Sequence, residues 1–133
     1  MSGTGVLTRL RVLVVEDEYF IADDMVQALE ALGAKVVGPV ASLAGVMGIL
    51  ASGERIDAGV LDIDLRGEAV YPVADILTER GVPYIFATGY DKTVIPRPYQ
   101  SVPRWEKPFD SNALARALPH VVAAYAPDLL EGP

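Results

Sequence analysis

Arg11-Val-Leu-Val-Val-Glu-Asp17 is the stretch that decides the fold, because four consecutive aliphatic residues, Val12 to Val15, end abruptly in acids. An unbroken apolar run leaves no face for water, so it reads as a strand buried on both sides, as in a parallel sheet covered by helices. It is far shorter than the ~20 residues needed to span a bilayer. Just downstream, Ile21, Met25, Leu29 and Leu32 recur at helical spacing, and Gly33 stands where a left-handed C-terminal cap belongs. Together these make one β–α unit.

The unit repeats along the chain. Lys35–Val40 reads as a second strand, Ser42 as an N-cap, and Leu43, Val46, Met47 and Leu50 as the buried stripe of a helix ending near Gly53. Residues 59–63 read as the third strand. Pro72 then falls in a first helical turn, followed by Val73, Ile76, Leu77 and a stop at Gly81. Residues 84–87 make the fourth strand. From 91 to 103 the pattern degrades, because Pro96, Pro98 and Pro103 each remove a backbone donor and disfavour helix in the residue before them. The fourth helix is therefore expected to be short or irregular. Residues 102–105 are the fifth strand, and Asp110 caps a last helix with Leu114 and Leu118 facing in; Pro119 predicts a kink or a restart. Strands alternating with amphipathic helices give an α/β fold, a flavodoxin-like (βα)5 doubly wound five-stranded parallel sheet in the order 2-1-3-4-5. The domain is expected over 9–126, with flexible tails at 1–8 and 127–133.

At 133 residues the chain is one domain, and 51% hydrophobic content suffices for a core without disulfides or a structural metal. The absence of Cys excludes disulfide scaffolds, thiolate zinc sites and cysteine nucleophiles, and the single His120 leaves little material for a His-based metal site or a Ser-His-Asp triad. His120 itself reads as a surface or packing residue. With 18 acidic and 11 basic side chains the net charge is −7, a field that repels phosphate backbones. Residues 1–8 lack a signal peptide's charged start and apolar middle. The expectation is a soluble, cytoplasmic protein with no nucleic-acid or membrane partner. Gly3-Thr-Gly5 precedes a strand instead of following one, so it fails as a dinucleotide loop.

Right-handed crossovers align the carboxyl ends of all the strands on one rim, and polar residues fall there: Glu16 and Asp17 after strand one, Asp62 and Asp64 at strand three, Thr88 after strand four, Lys107 after strand five. Carboxylates within a few ångströms repel unless a cation sits between them, and oxygen ligands select a hard ion, Mg²⁺ by default. A carboxylate such as Asp62 can also act as a nucleophile toward phosphorus, giving an acyl phosphate, with the Lys107 ammonium and the Thr88 hydroxyl as counterparts. Glu16 could hold a metal-bound water instead of the metal. Blander readings exist: Glu16-Asp17-Glu18 could serve a helix dipole, Asp62 and Asp64 could cap a loop, and Lys107 could be merely solvated. None of these explains why acids end two central strands while a Lys-Pro pair follows another.

Val14-Val-Glu-Asp17, Val60-Leu-Asp-Ile-Asp64, Phe86-Ala-Thr-Gly-Tyr90 and Lys107-Pro-Phe109, in that order, resemble the receiver domain of bacterial two-component response regulators over nearly the whole chain. The Phe-Ala-Thr-Gly-Tyr string is also similar to a stand-alone subgroup in alphaproteobacterial stress signalling. The resemblance implies that Glu16 and Asp17, with Asp62 and the backbone carbonyl of Asp64, hold Mg²⁺. It implies that Asp62 accepts the phosphoryl group of a sensor histidine kinase or phosphotransfer protein, that Thr88 and Lys107 contact the phosphoryl oxygens, and that the Lys107–Pro108 bond is cis. One departure is Arg104, where the family often carries an aromatic switch residue; Tyr90, Arg104 and Trp105 are left as switch or output candidates. The Pro-rich fourth segment is a second departure, since it occupies the usual output surface.

The expected function is a single-domain phosphoacceptor that turns over no external substrate and acts by protein contact or phosphate buffering. Asp62-Ile-Asp64 also resembles the nucleophile and acid pair of haloacid-dehalogenase-type phosphatases. That motif normally ends a first strand and needs a further acid pair, whereas only Asp110, Asp128 and Glu131 follow Lys107. A receiver-like binding module that is never phosphorylated is the third reading.

Overall fold

The computed structural model describes residues 5–89 and 94–125. Its main sheet has five parallel strands, β1 (Arg11–Val15), β2 (Lys35–Val40), β3 (Ala58–Leu61), β6 (Tyr84–Thr88) and β7 (Arg104–Glu106), in the order β2-β1-β3-β6-β7. A two-stranded hairpin, β4 (Asp64–Leu65) and β5 (Glu68–Ala69), follows β3. The helices are α1 (Tyr19–Ala31), α2 (Leu43–Ala51), α3 (Tyr71–Glu79) and α4 (Ser111–Tyr125). With the hairpin set aside, the order is the 2-1-3-4-5 read from the sequence.

Alternation along the strands divides the core into two layers. On one face Val12, Val14, Val60, Ile85 and Ala87 pack with Met25 and Leu29 of α1 and Leu114, Leu118 and Val122 of α4. On the other, Leu13, Val15, Leu61 and Phe86 pack with Val46 and Leu50 of α2, Val73 and Leu77 of α3, and Ile95. Local signals hold where the chemistry is strong. The Ser42 hydroxyl accepts from Gly45 N–H at 3.1 Å, Pro72 lies in the first turn of α3, and Asp110 Oδ1 accepts from Asn112 N–H at 2.9 Å. Between β6 and β7 the described residues hold no α-helix and include a 3₁₀ turn, Arg97–Tyr99, the irregular element the prolines predict.

Four expectations need correction. The third strand ends at Leu61, not 63, because the chain turns into the hairpin, whose tip uses the left-handed backbone of Arg66 and Gly67 (φ 54° and 92°). The fifth strand is shifted to Arg104–Glu106, since Pro103 and the turn before it delay pairing. No restart occurs at Pro119: α4 runs through it, with Leu118 and Val122 on either side fully buried, so packing holds the turn that has lost a donor. Finally, residues 5–8 are no loose tail. Leu7 is fully buried and its N–H donates to Leu32 O at 2.8 Å, while Gly5 N–H donates to Thr8 Oγ1. Glycine is required on both sides of this contact, for a side chain at Gly5 would strike the Leu32 carbonyl and one at Gly33 (φ 96°) would strike Thr8. The expected tail at 127–133 lies outside the described residues. Among the described residues, no helix is long and apolar enough to cross a membrane.

Candidate functional site

The parallel ladder continues one residue past several strands and thereby places the rim residues. Glu16 N–H donates to Val40 O at 3.0 Å, Asp62 N–H to Val15 O at 2.8 Å, and Lys107 N–H to Thr88 O at 2.9 Å. Each of these side chains is thus delivered by a backbone already held in the sheet. They converge: Lys107 Nζ donates to Glu16 Oε2 at 3.1 Å, Asp62 Oδ2 at 3.1 Å and Glu18 Oε1 at 2.7 Å. Asp17, Asp64, Thr88 and Gly89 complete the lining of an open cleft of about 440 Å³ around Asp62, Glu18 and Lys107. The Lys107–Pro108 peptide is cis.

Burial sets the electrostatics. Glu16, Asp62 and Thr88 are buried, at 2%, 5% and 0% exposure. Desolvation pushes the Glu16 carboxyl up to about 7, and repulsion by Asp62 adds to it, against the opposing Glu18 N–H and Lys107. Asp62 is raised by burial too, with Lys107 pulling the other way. For Lys107 burial acts downward, but hydrogen bonds to Glu18, Glu16 and Asp62 outweigh it and hold the ammonium above its ordinary range.

Carboxylate oxygens of Glu16, Asp17, Glu18 and Asp62 all lie within 4.8 Å of one another. Four acids around one ammonium leave negative charge uncompensated, and Glu16 Oε1 is buried with no hydrogen-bond partner. A buried oxygen in that condition costs free energy unless a cation or water meets it. The donor set is all oxygen, which suits a hard divalent ion.

The bland readings are tested by the same contacts. Helix α1 has no acid in its first turn, and its N-cap Glu18 makes no side-chain cap bond; Glu16 accepts from the Glu18 N–H at the helix entry, and both carboxylates accept from Lys107 in the cleft. Asp64 does act locally: its Oδ1 accepts from Gly67 N–H at 3.0 Å and closes the hairpin turn. Asp17 Oδ2 accepts from Arg66 N–H at 3.2 Å, which ties the hairpin to the first acidic pair.

No protein-family model matches the chain, and no curated protein does either. Solved structures do. The chain is 35% identical to SdrG from Sphingomonas melonis, covering 92% of this chain and 98% of that one, with a TM-score of 0.73. A response regulator receiver protein from Sinorhizobium medicae is 26% identical over 87% of this chain and 96% of its own (TM-score 0.73). The REC domain of the PhyR response regulator from Erythrobacter litoralis is 25% identical over 92% and 96% (TM-score 0.78). The chain belongs to the response-regulator receiver family.

Within this receiver, the residues expected at the rim come together, whereas two of the switch candidates, Arg104 and Trp105, do not join them. Tyr90 lies outside the described residues. Arg104 lines a separate cleft with Ile95, Tyr99 and Gln100 and pairs with Glu106 at 3.5 Å. Trp105 alternates to the opposite face and packs on the α1–α4 core. Sequence reasoning missed Glu18 as a member of the cleft. Its only signal was a third consecutive acid, which is also what a helix start displays. The Arg66 N–H contact was missed because a backbone donor leaves no mark in residue identity.

Proposed function

We propose that this receiver is a phosphoacceptor of two-component signalling, in which Asp62 takes a phosphoryl group from the phosphohistidine of a sensor kinase or phosphotransfer protein. The observation that carries this reading is the reach of Lys107 Nζ to Asp62 Oδ2 at 3.1 Å inside a cluster of four carboxylates. In the transfer an Asp62 oxygen attacks phosphorus, the Asp62 O–P bond forms as the N–P bond to the donor imidazole breaks, and the imidazole leaves with its electron pair. Lys107 would neutralise charge arriving beside Asp62, and Thr88, buried at the cleft wall, would offer its hydroxyl to a phosphoryl oxygen. Glu16, Asp17 and Asp62 would hold a Mg²⁺ ion, with the Asp64 carbonyl as a further ligand by family resemblance. That ion supplies charge neutralisation and alignment of the incoming phosphoryl group.

A BeF3-activated conformation is known for the relative SdrG, and BeF3⁻ mimics a phosphoryl group on a carboxylate, which supports an acceptor role here. The phosphatase alternative requires Asp64 as an acid facing the substrate; its carboxylate instead closes the hairpin turn. Output would run through a protein-binding surface around residues 94–103 and α4.

Intact mass after incubation with acetyl phosphate and Mg²⁺ tests the proposal. Wild type should gain one phosphoryl group, removable by hydroxylamine, and Asp62→Asn should gain none. Equal labelling of both, or many equivalents of phosphate released per protein, would overturn it.

A further inference from the structure

An ammonium has three N–H donors, and all three of Lys107 are engaged, by Glu16, Asp62 and Glu18. A phosphoryl oxygen on Asp62 can therefore be met by Lys107 only if one of these contacts is given up. Glu16 is poorly suited to release: its side chain is wholly buried, and the accepting oxygen is also held by Glu18 N–H at 3.0 Å. Asp62 is the residue being modified. Glu18 differs on each count. Its side chain is 60% exposed, it forms no cap bond with α1, and it makes the shortest of the three contacts at 2.7 Å. Returning an exposed carboxylate to water costs little.

We propose that Glu18 is a positioning residue that stands in for the phosphoryl group in the resting protein, occupying the third donor of Lys107 until a phosphoryl oxygen displaces it. The inference rests on the reading of Asp62 as phosphoacceptor and adds a regulator to that site. Two consequences follow from one side chain. Lys107 is held in the cleft, aligned, before any phosphoryl group arrives. The affinity of the cleft for that group is reduced, because the incoming anion must break an existing ion pair and then share the cleft with the displaced carboxylate. Glu18 thereby sets a threshold on the activated state.

Two variants separate contact from charge. Glu18→Gln keeps length and removes charge; Glu18→Asp keeps charge but is one methylene short of Lys107. Amide chemical shifts followed during BeF3⁻ titration at saturating Mg²⁺, and during Mg²⁺ titration alone, give both half-saturation points. For an exposed pair of this kind the expected gain in BeF3⁻ affinity is about two- to fivefold for Glu18→Gln. Glu18→Asp should show a smaller gain in BeF3⁻ affinity than Glu18→Gln. A general loosening of the cleft would instead weaken both ligands together. BeF3⁻ affinity that is unchanged or weaker in both variants, with wild type still saturating, overturns the role of Glu18 alone. If wild type shows no saturable BeF3⁻ response with Mg²⁺, the phosphoacceptor reading itself fails and this inference goes with it.

Discussion

The two faces of the sheet are built differently. One is covered by α1 and α4, helices of 13 and 15 residues whose aliphatic stripes meet the strands. The other is covered by α2, α3 and a Pro-rich segment that includes the 3₁₀ turn Arg97–Tyr99, and here rings join the aliphatic stripes of α2 and α3. Tyr99 stacks on Tyr71 at 4.4 Å, Tyr71 meets Phe86 edge-on at 6.3 Å, and Phe86 meets Tyr84 at 5.6 Å. Tyr99 OH also donates to Asp75 Oδ1 at 2.7 Å, a bond that, with burial, pushes its hydroxyl up to about 12. Where proline forbids regular helix, a few oriented aromatic contacts tether the chain alongside the buried Ile95. The face that bears these rings also carries the segment that holds the 3₁₀ turn.

The contrast breaks first at Leu118, fully buried under α4. Leu118→Ala should lower unfolding free energy by about 2–5 kcal/mol, read from urea midpoints. A loss under about 1 kcal/mol would mean that the helical face is no firmer than the other.

The rim where the faces meet should respond to pH. Burial moves Glu16 from 4.5 to about 7 in the folded state, so the folded protein binds a proton there that the unfolded chain does not. The associated stability is fully present below about pH 4.5 and is lost as pH rises through about 7. Metal-free protein should thus become less stable between pH 5 and 8, by no more than about 3 kcal/mol at ~1.4 kcal/mol per pH unit, and Glu16→Gln should flatten the slope. Urea midpoints at several pH values decide it.

The smallest effect belongs to the aromatic face. Tyr99→Ala should cost about 1 kcal/mol, from one stacked pair and one hydrogen bond, while leaving the sheet's amide spectrum in place. A global spectral change would show that the Pro-rich segment is part of the cooperative core.

Much of this was legible in the sequence because its causes are local. Val12 to Val15 ending in acids, Ser42 as a cap and the prolines after residue 94 each determine their own backbone, and their succession gave the topology. The positions of Glu16, Asp62, Thr88 and Lys107 follow from that topology alone, since the site lies on the ends of strands. What escaped was set by tertiary contact. Glu18 bonds a lysine 89 positions away, the hairpin at Asp64–Ala69 depends on two left-handed residues, and Pro119 is overridden by the packing of its neighbours.

The turn at Gly5–Thr8 bears on how the protein should be handled. Strand periodicity begins after residue 8, and an expression boundary drawn there would strip away a wholly enclosed leucine and leave the Leu32 carbonyl without its donor. Fusion partners and cleavable tags belong upstream of Gly5, where their attachment leaves this clasp intact.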